Sequence, residues 1–160
     1  MPSTLTNKTL FLSTELKISR AQIKLDLNDV VKVLSFEFDC VSPSIESIKT
    51  MQKYLELAVK KKKEFFVFLD FSSILFPTPE VIRRQKDFGT EIEKSKMIPR
   101  VAVVLKPVLK TIIDNIISDI KKSDYTASKM FNSPEDAWRF LLAPLPAAPT
   151  KRVVAAKYKN

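Results

Sequence analysis

Lys60-Lys61-Lys62-Lys63 is the densest run of one chemistry in the chain, and Arg83-Arg84 with Lys86 forms a second basic spot. Clustered cations neutralise phosphates and release their counterions, so both are candidate contacts for phosphate, nucleic acid or an acidic partner. The competing reading of the lysine run is a solvated helix end. Carboxylate pairs are the next chemistry to seek, since two acids held together can do acid/base work or grip a metal. Glu91 and Glu93 stand two apart and diverge on a helix, while Asp114 and Asp119 fall on the polar face of theirs. Asp70 closes an apolar strand, where open α/β sheets place ligand groups, although a lone acid there also orders the next turn. Cys40 is the single cysteine, so no internal disulfide can form; it reads as a small buried hydrophobe in an apolar strand.

Absences narrow the field further. The chain has no histidine, which removes the commonest neutral-pH base, the commonest zinc ligand and every Ser/His or Cys/His nucleophile. Gly89 is the only glycine, so neither a P-loop nor a dinucleotide loop can be built. The expectation is a protein that is not an enzyme, with no catalytic, cofactor or metal site. Residues 1–9 lack an apolar signal core, and the apolar stretch 101–120 is broken by Lys106, Lys110, Asp114 and Asp119. An intracellular protein, not secreted and without a membrane span, is therefore expected.

These groups are carried by a chain of 160 residues, 45% hydrophobic and 28% charged, enough for one self-sufficient core. Short alternating segments in 9–12 and 16–27 predict strands with one wet face, and Asn28-Asp29 predicts a turn. From Val31 the alternation resumes toward Phe38, and a change of parity between Val33 and Leu34 hints at a bulge. Ser42-Pro43 predicts a helix start, followed by Ile45, Ile48, Met51, Leu55 and Val59 at helical spacing. Residues 65–69 are continuously apolar, as a central strand buried on both faces should be. Thr78-Pro79-Glu80 opens a second helix, Val101 to Leu105 forms another buried strand, and Pro107 opens a third helix. A short strand over 127–131 then leads to Ser133-Pro134-Glu135-Asp136, a capping box before the last helix. The order β-β-β-α-β-α-β-α-β-α implies a mixed sheet, antiparallel at its N-terminal strands and parallel in its centre, covered by about four helices.

Three stretches of this layout resemble the STAS and SpoIIAA-like domains, the anti-sigma-factor-antagonist family. Phe66-Val67-Phe68-Leu69-Asp70-Phe71-Ser72 is similar to the family's strand ending in an Asp-Leu-Ser turn, and Arg100 to Val104 to its next central strand. Phe131 to Leu141 is similar to its closing strand, acidic cap and final helix. The resemblance covers roughly residues 30–142 and implies a STAS-like α/β fold. Where the family is a phosphorylation switch, the acceptor serine opens the helix after that first strand. Here the region reads Pro77-Thr78-Pro79-Glu80-Val81, without serine or glycine. Thr78 is the residue a modification would reach, and a phosphate at a helix N-terminus is electrostatically favourable; otherwise Thr78 is a cap.

Domain organisation follows as a STAS-like domain over 1–142 and a basic, Pro/Ala-rich extended arm over 143–160. Of the net charge of +9, the arm holds Lys151, Arg152, Lys157 and Lys159 with no acid. The leading expectation is a non-enzymatic adaptor or structural subunit of a larger assembly. It would bury Leu145, Val153 and Val154 of the arm while Lys151, Arg152, Lys157 and Lys159 meet acidic protein surface. A nucleic-acid-associated basic protein is the alternative, and a carrier of a small apolar ligand between the helix faces is a third.

Overall fold

A computed structural model of the chain describes residues 5–12, 14–25, 30–120 and 126–143. Its elements are β1 (Leu5–Leu12), β2 (Leu16–Lys24), β3 (Val30–Phe38), α1 (Ile45–Val59), β4 (Phe65–Asp70), α2 (Pro79–Glu93), β5 (Arg100–Val104), α3 (Pro107–Ile120), β6 (Ala127–Phe131) and α4 (Pro134–Leu142). The order is the one the sequence predicts. Six strands form one sheet in chain order, with β1–β2 and β2–β3 antiparallel and the remaining pairs parallel. Leu145 and the other arm residues beyond Ala143 lie outside the described residues.

β4 explains the layering. Its first five residues are all buried, so both faces of the sheet need a cover there. On one face Phe65, Val67 and Leu69 join Leu34, Phe36 and Val103 beneath Ile48, Met51 and Leu55 of α1, Val81 of α2 and Leu109 of α3. On the other, Phe66 and Phe68 join Val33, Ala102 and Val104 against Ala137 and Leu141 of α4. Three crossover helices thus share one face, and the nine-residue α4 packs on the opposite one over β4, β5 and β6.

Three sequence expectations change in detail. α1 is capped by Ser44, whose Oγ accepts from the Ser47 amide, and not by Ser42. Ser42 is drawn instead into a bond with the Phe76 carbonyl. The parity change at Val33 and Leu34 is not a bulge, because the β2–β3 register runs unbroken from Leu16↔Phe38 to Lys24↔Val30. The cover changes sides: Leu34 and Phe36 lie under α1, and Val33 packs in the α4 cluster. The register shift lies instead between Thr9 and Phe11, where β1 meets β2. Cys40 sits just past the end of β3, half-buried against the core, and not within a strand.

α4 is held down by a cation. Arg100, the first residue of β5, is 8% exposed. Its Nη1 donates to the carbonyls of Phe140 (3.0 Å), Leu141 (3.2 Å) and Ala143 (2.7 Å). These are helix-end carbonyls with no intrahelical partner, and a cation there also matches the helix dipole. The guanidinium lies 5.2 Å from the Phe66 ring centre and 5.6 Å from that of Phe140. Burial pulls its pKa down, yet a guanidinium stays protonated throughout the working range. At the middle of α4, Trp138 stacks on Phe68 at 4.7 Å. Replacing Arg100 with Met should therefore cost about 3 kcal/mol, the cost of stripping a charged donor from one buried and two part-buried acceptors. Denaturant unfolding followed through Trp138, the single tryptophan, measures it; a loss below about 1 kcal/mol contradicts the assignment.

Candidate functional site

The loops that leave the C-terminal ends of β3 and β4 form a rigid rim. Glu15, just before β2, starts the network: its Oε1 accepts from the Ser44 amide and hydroxyl, both at 3.0 Å. These bonds, led by the amide one, hold the Glu15 carboxyl below its usual range. The Val41 carbonyl accepts from the amides of Leu75 (2.8 Å) and Phe76 (3.1 Å), and the Ser42 hydroxyl donates to the Phe76 carbonyl at 2.6 Å. Both polar backbone groups of Phe76 are thus satisfied by the neighbouring loop. Its ring is nonetheless 67% exposed. Val41 beside it and Val108, in the first turn of α3, are exposed at the same end of the sheet.

The chemically capable residues of the sequence are occupied here by structural work. Asp70 Oδ1 accepts from the amide (3.0 Å) and hydroxyl (2.6 Å) of Ser72, ordering the turn after β4. Thr78 Oγ1 accepts from the Val81 amide, so it caps α2; its side chain is exposed on the rim. Burial, then the charges of Glu15 and Asp39, push the Cys40 thiol up, away from the nucleophilic thiolate. Glu91 pairs with Lys94 and Asp114 with Lys110 on exposed helix surface.

The two basic spots part company. Arg83 and Arg84 line an open cleft of about 430 Å³ between α1 and α2, together with Glu56, Glu80, Asp87 and Glu91. Arg84 Nε donates to Oε1 of Gln52, a buried glutamine that in turn donates to Gln85. Four carboxylates in the same cleft work against phosphate binding at Arg83 and Arg84. Lys60, Lys61, Lys62 and Lys63 are all exposed, in the connection between α1 and β4 at the far end of the sheet from the rim. A third feature is an apolar depression under the β4–α2 loop, between α2 and α3, lined by Phe71, Ile74, Val81, Leu109, Ile112 and Ile116. Its volume of about 40 Å³ suits roughly one water, far below the several hundred Å³ of small-molecule pockets. A carrier of small apolar ligands finds no room there.

Sequence reasoning missed Phe76, Arg100 and Gln52. For Phe76 the signal was present, an apolar Ile74-Leu75-Phe76 beside prolines and too short for a strand, but periodicity cannot say which of the three faces water.

No protein-family profile matches the chain, and no curated protein matches it in sequence. Among solved structures it is similar to an uncharacterized protein of the DUF3478 family with a SpoIIAA-like fold, from Shewanella loihica PV-4. That likeness covers 87% of this chain and 94% of the other, with a TM-score of 0.53 and 13% identity. The chain has the SpoIIAA-like α/β architecture that its sequence resembles. Among the described residues no helix is long and apolar enough to cross a membrane.

The Glu15 contact gives the rim a pH signature. A depressed carboxyl pKa stabilises the fold above its unfolded value and loses that contribution as pH falls through the folded one. Glu15→Gln should cost about 1 kcal/mol at neutral pH, and the deficit should vanish in acid below the carboxylate range. Thermal melts of both proteins across pH 7 to 3 check this; a deficit independent of pH contradicts it.

Proposed function

We propose that this domain is a non-enzymatic interaction module that docks a partner protein through the rim of Val41, Phe76 and Val108. One observation carries the reading: a large aromatic side chain stands in water while its backbone is tied in place. Burying a phenylalanine is worth about 1.5–3 kcal/mol. A loop already fixed by the Val41 and Ser42 bonds has little ordering entropy left to lose on binding. Pre-organised aromatic groups are also where interface energy concentrates.

Several features support a role without bond-making. The chain lacks imidazole, Asp70 is committed to its turn, and the Cys40 thiol is pushed toward its protonated form. The SpoIIAA-like fold adds no activity by itself, since a fold hosts many functions and its similar structure is uncharacterized. Within a larger assembly the domain serves as an adaptor or structural subunit. Its arm, through Leu145, Val153, Val154 and the four cations, supplies a further contact to acidic surface.

Phe76→Ser is the decisive substitution, because an exposed ring can be removed with little effect on folding. Complexes isolated from the native source would be identified and re-measured with purified components. The variant should melt within about 1 °C of the original and bind at least tenfold more weakly, as expected for a lost aromatic anchor. Unchanged affinity would sink the rim as the docking surface.

A further inference from the structure

The end of the sheet opposite the rim gathers charge that neither folding nor the rim uses. Arg20 and Lys24 on β2 and Lys32 on β3 share parity with Leu34 and Phe36, so they stand on the face that α1 covers further along. Arg20 is opposite Leu34 and Gln22 is opposite Lys32, which makes Lys32 a diagonal neighbour of both Arg20 and Lys24, about 7–8 Å away. The ladder continues from Lys32 to Phe65, the residue that follows Lys60–Lys63 and Glu64. The Phe65 amide donates to the Met97 carbonyl, bringing the α2–β5 loop with Lys96 to the same end.

Eight cations from four separate segments therefore spread from the middle of β2 to this end. Lys24 is half-buried and the other seven are exposed. None of the eight forms an ion pair among the described residues. Glu64 follows the run, Glu56 and Glu93 stand in the last turns of α1 and α2 beside Lys60 and Lys96, and Asp26 and Asp29 of the β2–β3 connection fall outside the described residues; five acids against eight cations leave a net positive charge. Like charges on neighbouring strands repel. Lys62 and Lys96 moreover hold φ of 60° and 55°, left-handed backbone where any side chain costs about 1 kcal/mol relative to glycine. Stability alone would disperse these charges and put glycine at both positions.

A polyanion resolves that conflict, and the geometry selects its kind. The cations spread over a sheet face and two loops, about 13 Å along β2 from Arg20 to Lys24, so they do not converge on one phosphate. None of the contributing residues is an aromatic ring on which single-stranded bases would stack. A duplex offers a stiff surface with one charge about every 1.7 Å of its axis. The arm begins at this same end, because the Ala143 carbonyl is bonded to Arg100 at the start of β5. We propose that Arg20, Lys24, Lys32, Lys60–Lys63 and Lys96 form a surface that binds the phosphate backbone of duplex nucleic acid without reading its sequence. The domain then has two working ends, protein at the rim and nucleic acid at the base.

The full chain would be titrated against short fluorescent DNA duplexes of two unrelated sequences, between about 50 and 200 mM salt. Both duplexes should bind equally, with log K falling linearly against log salt by about 0.9 per phosphate contacted. R20Q/K24Q/K32Q and, independently, K60Q/K61Q/K62Q/K63Q should each weaken binding at least tenfold and flatten that slope by about 2 to 3. All these positions but the half-buried Lys24 are exposed, and circular dichroism melts verify that each variant folds. Two independent sets keep the test decisive should one misfold. Wild-type binding by both sets would overturn the proposal, as would its loss in K151Q/R152Q/K157Q/K159Q alone. Tighter binding to single-stranded DNA, to phosphatidylserine vesicles or to polyglutamate at equal salt would equally overturn it.

Discussion

The architecture turns on how the second face of the sheet is closed. β4 is apolar on both sides, yet all three crossover helices pack on one of them. The other side depends on α4, nine residues whose isolated helicity would be negligible. Two contacts fix it: Trp138 on Phe68, and the Arg100 guanidinium beneath its last carbonyls. A side chain without donors at position 100 would leave those carbonyls, buried or partly so, without this partner. The buried cation is therefore a structural requirement of a fold that distributes its helices three to one.

With both faces sealed along the parallel strands, what remains available is the two ends. At the C-terminal ends of β3 and β4, hydrogen bonds among three loops present an exposed phenylalanine. At the other end, loops and a corner of the antiparallel strands collect cations that form no ion pair among the described residues. The clefts between helices offer less. One is an apolar dimple of about 40 Å³, and the other is lined by two arginines and four carboxylates together.

The sequence made the element order legible because it is heavily punctuated. Thr78-Pro79 and Ser133-Pro134 each cap a helix where they stand, and the apolar run of β4 announces a doubly covered strand. Ser42-Pro43 misleads by two residues, since Ser44 has the better partners in Glu15 and Ser47. The Val33–Leu34 parity change has two physical causes that look alike in sequence, a bulge or a change of cover, and only the ladder distinguishes them. The basic surface was visible only as its lysine run. Joining Lys32 to Lys60–Lys63 requires the β3–β4 register, which no local pattern encodes. Arg100 looked like an ordinary strand edge residue because its partners lie about forty positions away.

The claim that this domain works by presenting its rim is tested most directly by site-specific photo-cross-linking in the native source. A photoreactive amino acid would replace Phe76 in one version and Glu135, on the exposed side of α4, in another. The account predicts a discrete protein adduct from position 76 and none from position 135. Adducts from 135 with none from 76 would contradict it.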